Sequence, residues 1–206
     1  MEILSQGGQS IVYKLDDNYV FKQYKLDKEY PIDFKIIKIL CNEIGKLNRV
    51  ITPIKIDYNR NDKIVGTYCK YIQSYQLELV NVSCSTFYQW YTELIDDVKK
   101  ISSKKIRMLD FVYWNFIMSE NGPYFIDVES FVFSQEKDIE EIEKDNIADL
   151  NYCFLYGFLG KIGHFVTSQT FNEIFDEIKN FNGTLSEYVQ YKKSYDYETY
   201  TSNKKM

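Results

Sequence analysis

Histidine is nearly absent: His164 is the one imidazole in 206 residues. A Ser-His-Asp or Cys-His engine, or a multi-histidine metal site, would have to run through it alone. It sits in GKIGHFV with no evident partner, so a surface or packing role is expected. The four cysteines, Cys41, Cys69, Cys84 and Cys153, never form a C-x-x-C pair. That argues against a zinc site or a disulfide framework and fits free thiols in a reducing compartment. No apolar run approaches the roughly 18–20 residues of a membrane-spanning helix. The start, MEILSQGGQS, lacks the basic and apolar regions of a secretory signal. A cytoplasmic protein without a membrane span is therefore expected. Positive charge is also short: 25 Lys and Arg stand against 30 Asp and Glu, a net charge of −5. A nucleic-acid partner, which needs a dense basic face, is not expected.

The composition that remains is that of a folded chain, 45% hydrophobic and 27% charged. The length fits one large domain or two small lobes sharing a cleft. Residues 3 to 22 read as strands broken by a Gln-Gly-Gly-Gln turn, with a second turn at Asp16-Asp17-Asn18. Residues 32 to 47 place Ile37, Leu40, Ile44 and Leu47 on one helix face. VITPIKIDY and KIVGTYCKYI follow as strands around Asn59-Arg60-Asn61-Asp62. A linker falls near Ile72 to Val80. Beyond it, STFYQWYTELIDDVKKISSKK is helical, with Phe87, Trp90, Leu94, Val98 and Ile101 on one face and Ser85 or Thr86 as cap. The acidic run 134–146 reads as solvated, 147–165 as an apolar helix, 171–195 as one or two amphipathic helices, and the tail with Tyr195, Tyr197 and Tyr200 as polar.

The stretch RMLDFVYWNFIMSENGPYFIDVESF, residues 107–131, carries the chemistry. Asp110 and Asn115 stand five apart, then a hairpin returns the chain to Asp127. Upstream, Ser5 to Val12 forms a turn with Gly7 and Gly8 at its centre, whose small residues let a polyphosphate approach the backbone N–H groups. Lys22 follows ten residues after Val12 on a strand, and Glu43 lies on the helix beyond it. Phosphoryl transfer needs a carboxylate for the incoming hydroxyl and oxygen ligands for Mg²⁺, held in one geometry.

Taken in order, these residues resemble the protein-kinase-like fold from about residue 3 to about residue 180. The resemblance implies an α+β, bilobal protein: an N-lobe over 1–72 with five strands and one helix, and a short, mostly helical C-lobe over 73–206. It implies ATP and Mg²⁺ as cofactors. Gly7, Gly8, Ser10 and Val12 would cover the phosphates, Lys22 would bind them, and Glu43 would pair with Lys22. GTYCKYI (66–72), with Tyr68, Cys69 and Tyr71, would hold adenine. Asp110 would be the catalytic base, Asn115 and Asp127 the metal ligands. Glu129, two residues on along an extended segment, would be a further metal ligand or a solvated acid. Asp149, or Asp145, resembles the buried acid that opens a large C-lobe helix and supports the catalytic loop. The implied activity is transfer of the γ-phosphate of ATP to a hydroxyl of a protein. Alternatives are a small-molecule kinase, because Asp127-Val128-Glu129 is similar to the endings of sugar and aminoglycoside kinases, and a pseudokinase. The departures are Met108-Leu109 for His-Arg, Val112 where a lysine is usual, and no Ala-Pro-Glu.

Overall fold

The computed structural model describes residues 2–25, 32–42, 47–162 and 169–193. Glu43, Ile44, His164 and the tail tyrosines lie outside the described residues. Strands β1 (Glu2–Gln6), β2 (Ser10–Lys14), β3 (Tyr19–Tyr24), β4 (Pro53–Tyr58) and β5 (Ile64–Lys70) form an antiparallel sheet in the order β1-β2-β3-β5-β4. Its turns rest on short polar side chains. Asp16 Oδ1 accepts the N–H groups of Asn18 and Tyr19, and Asn59 Oδ1 those of Asn61 and Lys63. Helix α1 (Phe34–Asn42) buries Ile36, Ile37 and Leu40. Leu47, assigned to that face by periodicity, is buried but stands outside the described helix.

Helix α2 (Cys84–Ser102) buries Phe87, Trp90, Leu94, Val98 and Ile101, the face its spacing predicts. Four of these side chains are fully inaccessible, and each contributes about 1.5–3 kcal/mol by leaving water. The cap is Ser83 rather than Ser85 or Thr86. Its Oγ accepts the Thr86 N–H at 3.1 Å, which places Ser85 and Thr86 in the first turn. Strands β6 (Ile106–Arg107) and β9 (Val132–Phe133) pair, and β7 (Phe116–Ser119) with β8 (Gly122–Phe125) makes the expected hairpin. Helix α3 (Ile139–Tyr152) corrects the acidic run 134–146 as a plain solvated segment. Asp138 and Glu141 form a capping box, so the run's second half is the start of the helix, with Ile142 buried beneath it. A π-helical stretch (Cys153–Leu159), α4 (Gly160–Ile162), α5 (Phe171–Asn180) and α6 (185–193) complete the described chain.

The sheet joins the helical part through 48–51. Phe125 N donates to Arg49 O at 2.9 Å and Ile51 N to Phe125 O at 2.8 Å, tying this segment to β8. The buried Asp97 carboxylate accepts the N–H groups of Asn48, Arg49 and Val50. Burial pushes its carboxyl up against the pull of those three bonds. Among the described residues, no helix is long and apolar enough to cross a membrane.

Candidate functional site

One face of the sheet, the 72–74 segment and the β7–β8 hairpin enclose a cavity of about 600 Å³. Register decides which side chains reach it. Val12, Lys22 and Thr67 are paired across β2, β3 and β5, and Val20 pairs with Cys69. Directly paired residues share a face, and Ser10, Val12, Val20, Lys22 and Cys69 all line the cavity. Phe21 and Tyr68 occupy the opposite face, their rings 5.0 Å apart, with Lys55 over Tyr68. Tyr68 is therefore not a wall residue, because strand side chains alternate.

Gly7 lines the cavity and Gly8 does not. Neither glycine is demanded by the fold itself. A Cβ on Gly8 would meet nothing within 4 Å, and one on Gly7 only Ser10 O at 3.9 Å. Lys25 Nζ fixes the turn by donating to Gly7 O at 2.8 Å. At the far end Tyr71 contributes to the wall, but its N–H is donated to Asn18 O at 2.7 Å. Ile72 and Ser74 also border the cavity, so that of the 66–72 segment Cys69, Lys70, Tyr71 and Ile72 reach it.

Lys22 reaches across to the other wall. Its Nζ lies 3.1 Å from Asp127 Oδ1 and 2.5 Å from Glu129 Oε2. Residues 128–130 form a 3-10 turn, not the extended segment expected, and the turn drives Glu129 inward. The Glu129 side chain is 2% exposed, against 33% for Asp127. Tyr24 OH donates to Glu129 Oε1 at 3.1 Å and lies 3.1 Å from Thr67 Oγ1. Glu129 is thus neither a solvated acid nor part of the cavity wall: both of its oxygens are taken within the fold. Burial works against the Lys22 charge, but Glu129 and Asp127 outweigh it and hold the ammonium above the ordinary lysine range. Burial likewise opposes ionisation of Asp127, and the Lys22 charge overcomes it, holding that carboxyl low. Glu129, the deeper acid, is pushed up chiefly by burial, with the Asp127 charge adding to the effect.

The loop from Arg107 to Asn115 is stitched to the Asp127 segment at three levels. Strand β6 pairs with β9, Ser130 Oγ donates to Leu109 O and Asp127 O at 2.8 and 3.0 Å, and Ile126 N donates to Asn115 O at 3.0 Å. Within the loop, Asn115 Nδ2 donates to Asp110 O at 2.9 Å, so the planar amide turns its Oδ1 the other way. Asn115 and Asp127 both face the cavity. Asp110 is exposed and is not among the residues lining the cavity; its φ is 57°, a left-handed conformation that aspartate tolerates better than most residues but that still costs energy.

The loop's base is held from α3. Arg107 Nη2 donates to Asp149 Oδ2 at 2.5 Å, and Asp145 meets Arg107 only at 4.0 Å while pairing with Lys137. Asp149 is not the buried, helix-opening acid expected: it pairs with Arg107, but its side chain is 43% exposed and it lies near the end of α3. The buried support is Asn146, whose side chain bonds Arg107, Met108 N, Ile106 O and Ser102 Oγ. Sequence reasoning passed over Asn146, Ser130, Tyr24 and Trp114. An asparagine in mid-helix, a poor helix former, was the one available signal for Asn146. Tyr24 stands two residues from Lys22, on the same strand face. Trp114 is 77% exposed at the cavity rim.

Among the described residues no three His, Cys, Asp or Glu side chains cluster as a metal cage. Asp127 and Asn115 nevertheless offer a carboxylate and an amide oxygen on one wall. That donor set suits a hard cation such as Mg²⁺, which commonly takes one or two protein ligands and completes its shell with phosphate and water. Comparison with protein-family models found none that matches the chain, and comparison with curated proteins likewise found no match.

Proposed function

We propose that the chain is an ATP- and Mg²⁺-dependent phosphotransferase of the protein-kinase-like superfamily, with a bilobal arrangement around the cavity. The proposed reaction transfers the γ-phosphate to a hydroxyl, with a protein as the first acceptor class to test. The observation that carries this reading is one cavity bringing Lys22, Asn115 and Asp127 together from segments far apart in sequence, with a glycine turn at one end and the 72–74 segment at the other. Its volume of about 600 Å³ lies within the range of small-molecule sites.

In this reading adenine lies against Val12, Val20, Cys69 and Ile72, and Lys22 meets the phosphates as a cation. Bound Mg²⁺, on Asp127 and Asn115, would neutralise charge on the phosphate oxygens. The acceptor hydroxyl oxygen forms a bond to the γ-phosphorus as the bond to the bridging oxygen breaks, and its proton passes to the Asp110 carboxylate. The stitching between the Asp110 loop and the Asp127 segment supports the fixed geometry that in-line transfer requires.

Thermal unfolding with ATP, with and without Mg²⁺, tests the reading in wild type and Asp127→Ala. A ligand at about 100 times its Kd stabilises by about 2.7 kcal/mol, which is about 5–10 °C for a chain of this size. The expected result is a Mg²⁺-dependent rise that Asp127→Ala abolishes. No rise at millimolar ATP would refute the nucleotide site. Labelled ATP then tests transfer to protein and aminoglycoside acceptors. Asp110→Asn should abolish transfer and spare binding. A wild type that binds and transfers to neither would be the pseudokinase.

A further inference from the structure

We propose that Glu129 positions Lys22 for nucleotide phosphates, so that the lysine is presented by the metal-binding segment itself. The inference rests on the nucleotide reading above and specifies how that site is assembled.

Lys22 contacts two acids with different freedom. Asp127 lies on the cavity wall, one-third exposed, 3.1 Å from Nζ. Glu129 is sealed at 2% exposure, 2.5 Å from Nζ, and its second oxygen is fixed by Tyr24 OH. Tyr24 is itself buried and bonded to Thr67, which pairs directly with Lys22 across β3 and β5. Lys22, Glu129, Tyr24 and Thr67 therefore form a polar chain of hydrogen bonds, its two ends side by side on paired strands. An arriving phosphate can draw Lys22 from Asp127 and leave that carboxylate to a cation. It cannot draw Glu129 away, because Glu129 has no other place in the fold and no water to replace its bonds.

Helix α1 contributes something else. Its Phe34 ring packs 5.7 Å from the Tyr24 ring. The helix thus braces the tyrosine that braces the glutamate. Because Glu129 lies two residues beyond Asp127 on one short turn, the lysine and the metal ligand are set in register by a single rigid piece of chain.

The test compares Mg-ATP with adenosine, which offers base and ribose without phosphates. Binding is followed by calorimetry for Mg-ATP and by ligand-detected NMR for adenosine. Glu129→Gln keeps the volume and removes the charge. It should weaken Mg-ATP about tenfold or more and leave adenosine unchanged, since a charge-assisted bond to the lysine is what it loses. In a Lys22→Met background the same substitution should add nothing. Tyr24→Phe, which leaves the carboxylate in place, should give a smaller loss confined to Mg-ATP, and it serves if Glu129→Gln does not fold. Wild-type affinity for Mg-ATP in Glu129→Gln would overturn the proposal. So would an equal loss of adenosine, which would mark Glu129 as a packing residue only. Failure of the wild type to bind Mg-ATP would overturn the nucleotide reading itself, and the role of Glu129 with it.

Discussion

Asn146→Ala should destabilise this protein more than any substitution of the acids around it. The side chain is 1% exposed and makes four hydrogen bonds at the foot of the Asp110 loop. Its Oδ1 accepts from Met108 N at 2.9 Å and Arg107 Nη1 at 2.7 Å, and its Nδ2 donates to Ser102 Oγ at 2.9 Å and Ile106 O at 3.0 Å. Arg107 keeps Asp149 and the Met108 carbonyl after truncation. The Met108 N–H and the Ile106 carbonyl lose the bonds that Asn146 supplies. Each buried orphan costs about 1–3 kcal/mol, so the expected loss is about 3 kcal/mol. At about 2–4 °C per kcal/mol for this chain length, the midpoint should fall by about 6–12 °C. Circular dichroism melts at fixed protein concentration measure it. Asn146→Asp retains both acceptor bonds beside Arg107 and should recover about half of the loss, from the same per-bond values. A fall of less than about 1 kcal/mol in the alanine variant would refute the account, because it would mean that water or a shifted loop replaces these bonds freely.

Gly122→Ala is expected to cost about 3 kcal/mol, from a left-handed backbone and overpacking together. Its φ is 103°, and a Cβ there would lie 2.4 Å from the Trp90 indole. A melt within 1 °C of wild type would show that the hairpin relaxes around the methyl group, contrary to the packing described. The two tryptophans report separate places: Trp90 is 4% exposed and Trp114 77%. Acrylamide should quench Trp114 fluorescence readily, Mg-ATP should reduce that quenching, and Trp114→Phe should remove the accessible component. Quenching indifferent to saturating Mg-ATP would place the ligand away from this rim.

Local patterns were readable in the sequence wherever one physical rule acted alone. The α2 face followed from 3.6-residue spacing, and the β7–β8 hairpin from two apolar runs around Ser-Glu-Asn-Gly-Pro. The placing of Asn115 and Asp127 on one cavity wall followed from the hairpin, which returns the chain by a fixed number of residues. Boundaries failed where two signals competed. At α3 the acidity of 134–146 suggested solvated chain, while Asp138 and Glu141 supplied a capping box that starts the helix. At α2 three hydroxyl residues were available as caps. Only Ser83 has the extended backbone, ψ 146°, that lets its side chain turn back on the helix.

Glu129 exposes a different limit. From sequence, an acid two residues beyond Asp127 on extended chain would share its side and belong to the metal or to water. The structure changes the geometry by one turn of 3-10 helix, and with it the chemistry. The change follows from neighbours on the same segment. Val128 and Phe131 are both buried, at 2% and 1% exposure, and an extended strand would put residues three apart on opposite faces. A 3-10 turn, with three residues per turn, puts both on the core side. Ser130 then bonds backwards to the Asp127 carbonyl and holds the turn closed. Glu129 is carried inward as a consequence, and a buried carboxylate must find a cation or give up its charge. Lys22, 107 positions earlier in the chain, is the cation that the β3 register delivers to that spot. The apolar spacing of Val128 and Phe131 could have been read beforehand; the match to Lys22 is a property of the sheet register and required the fold.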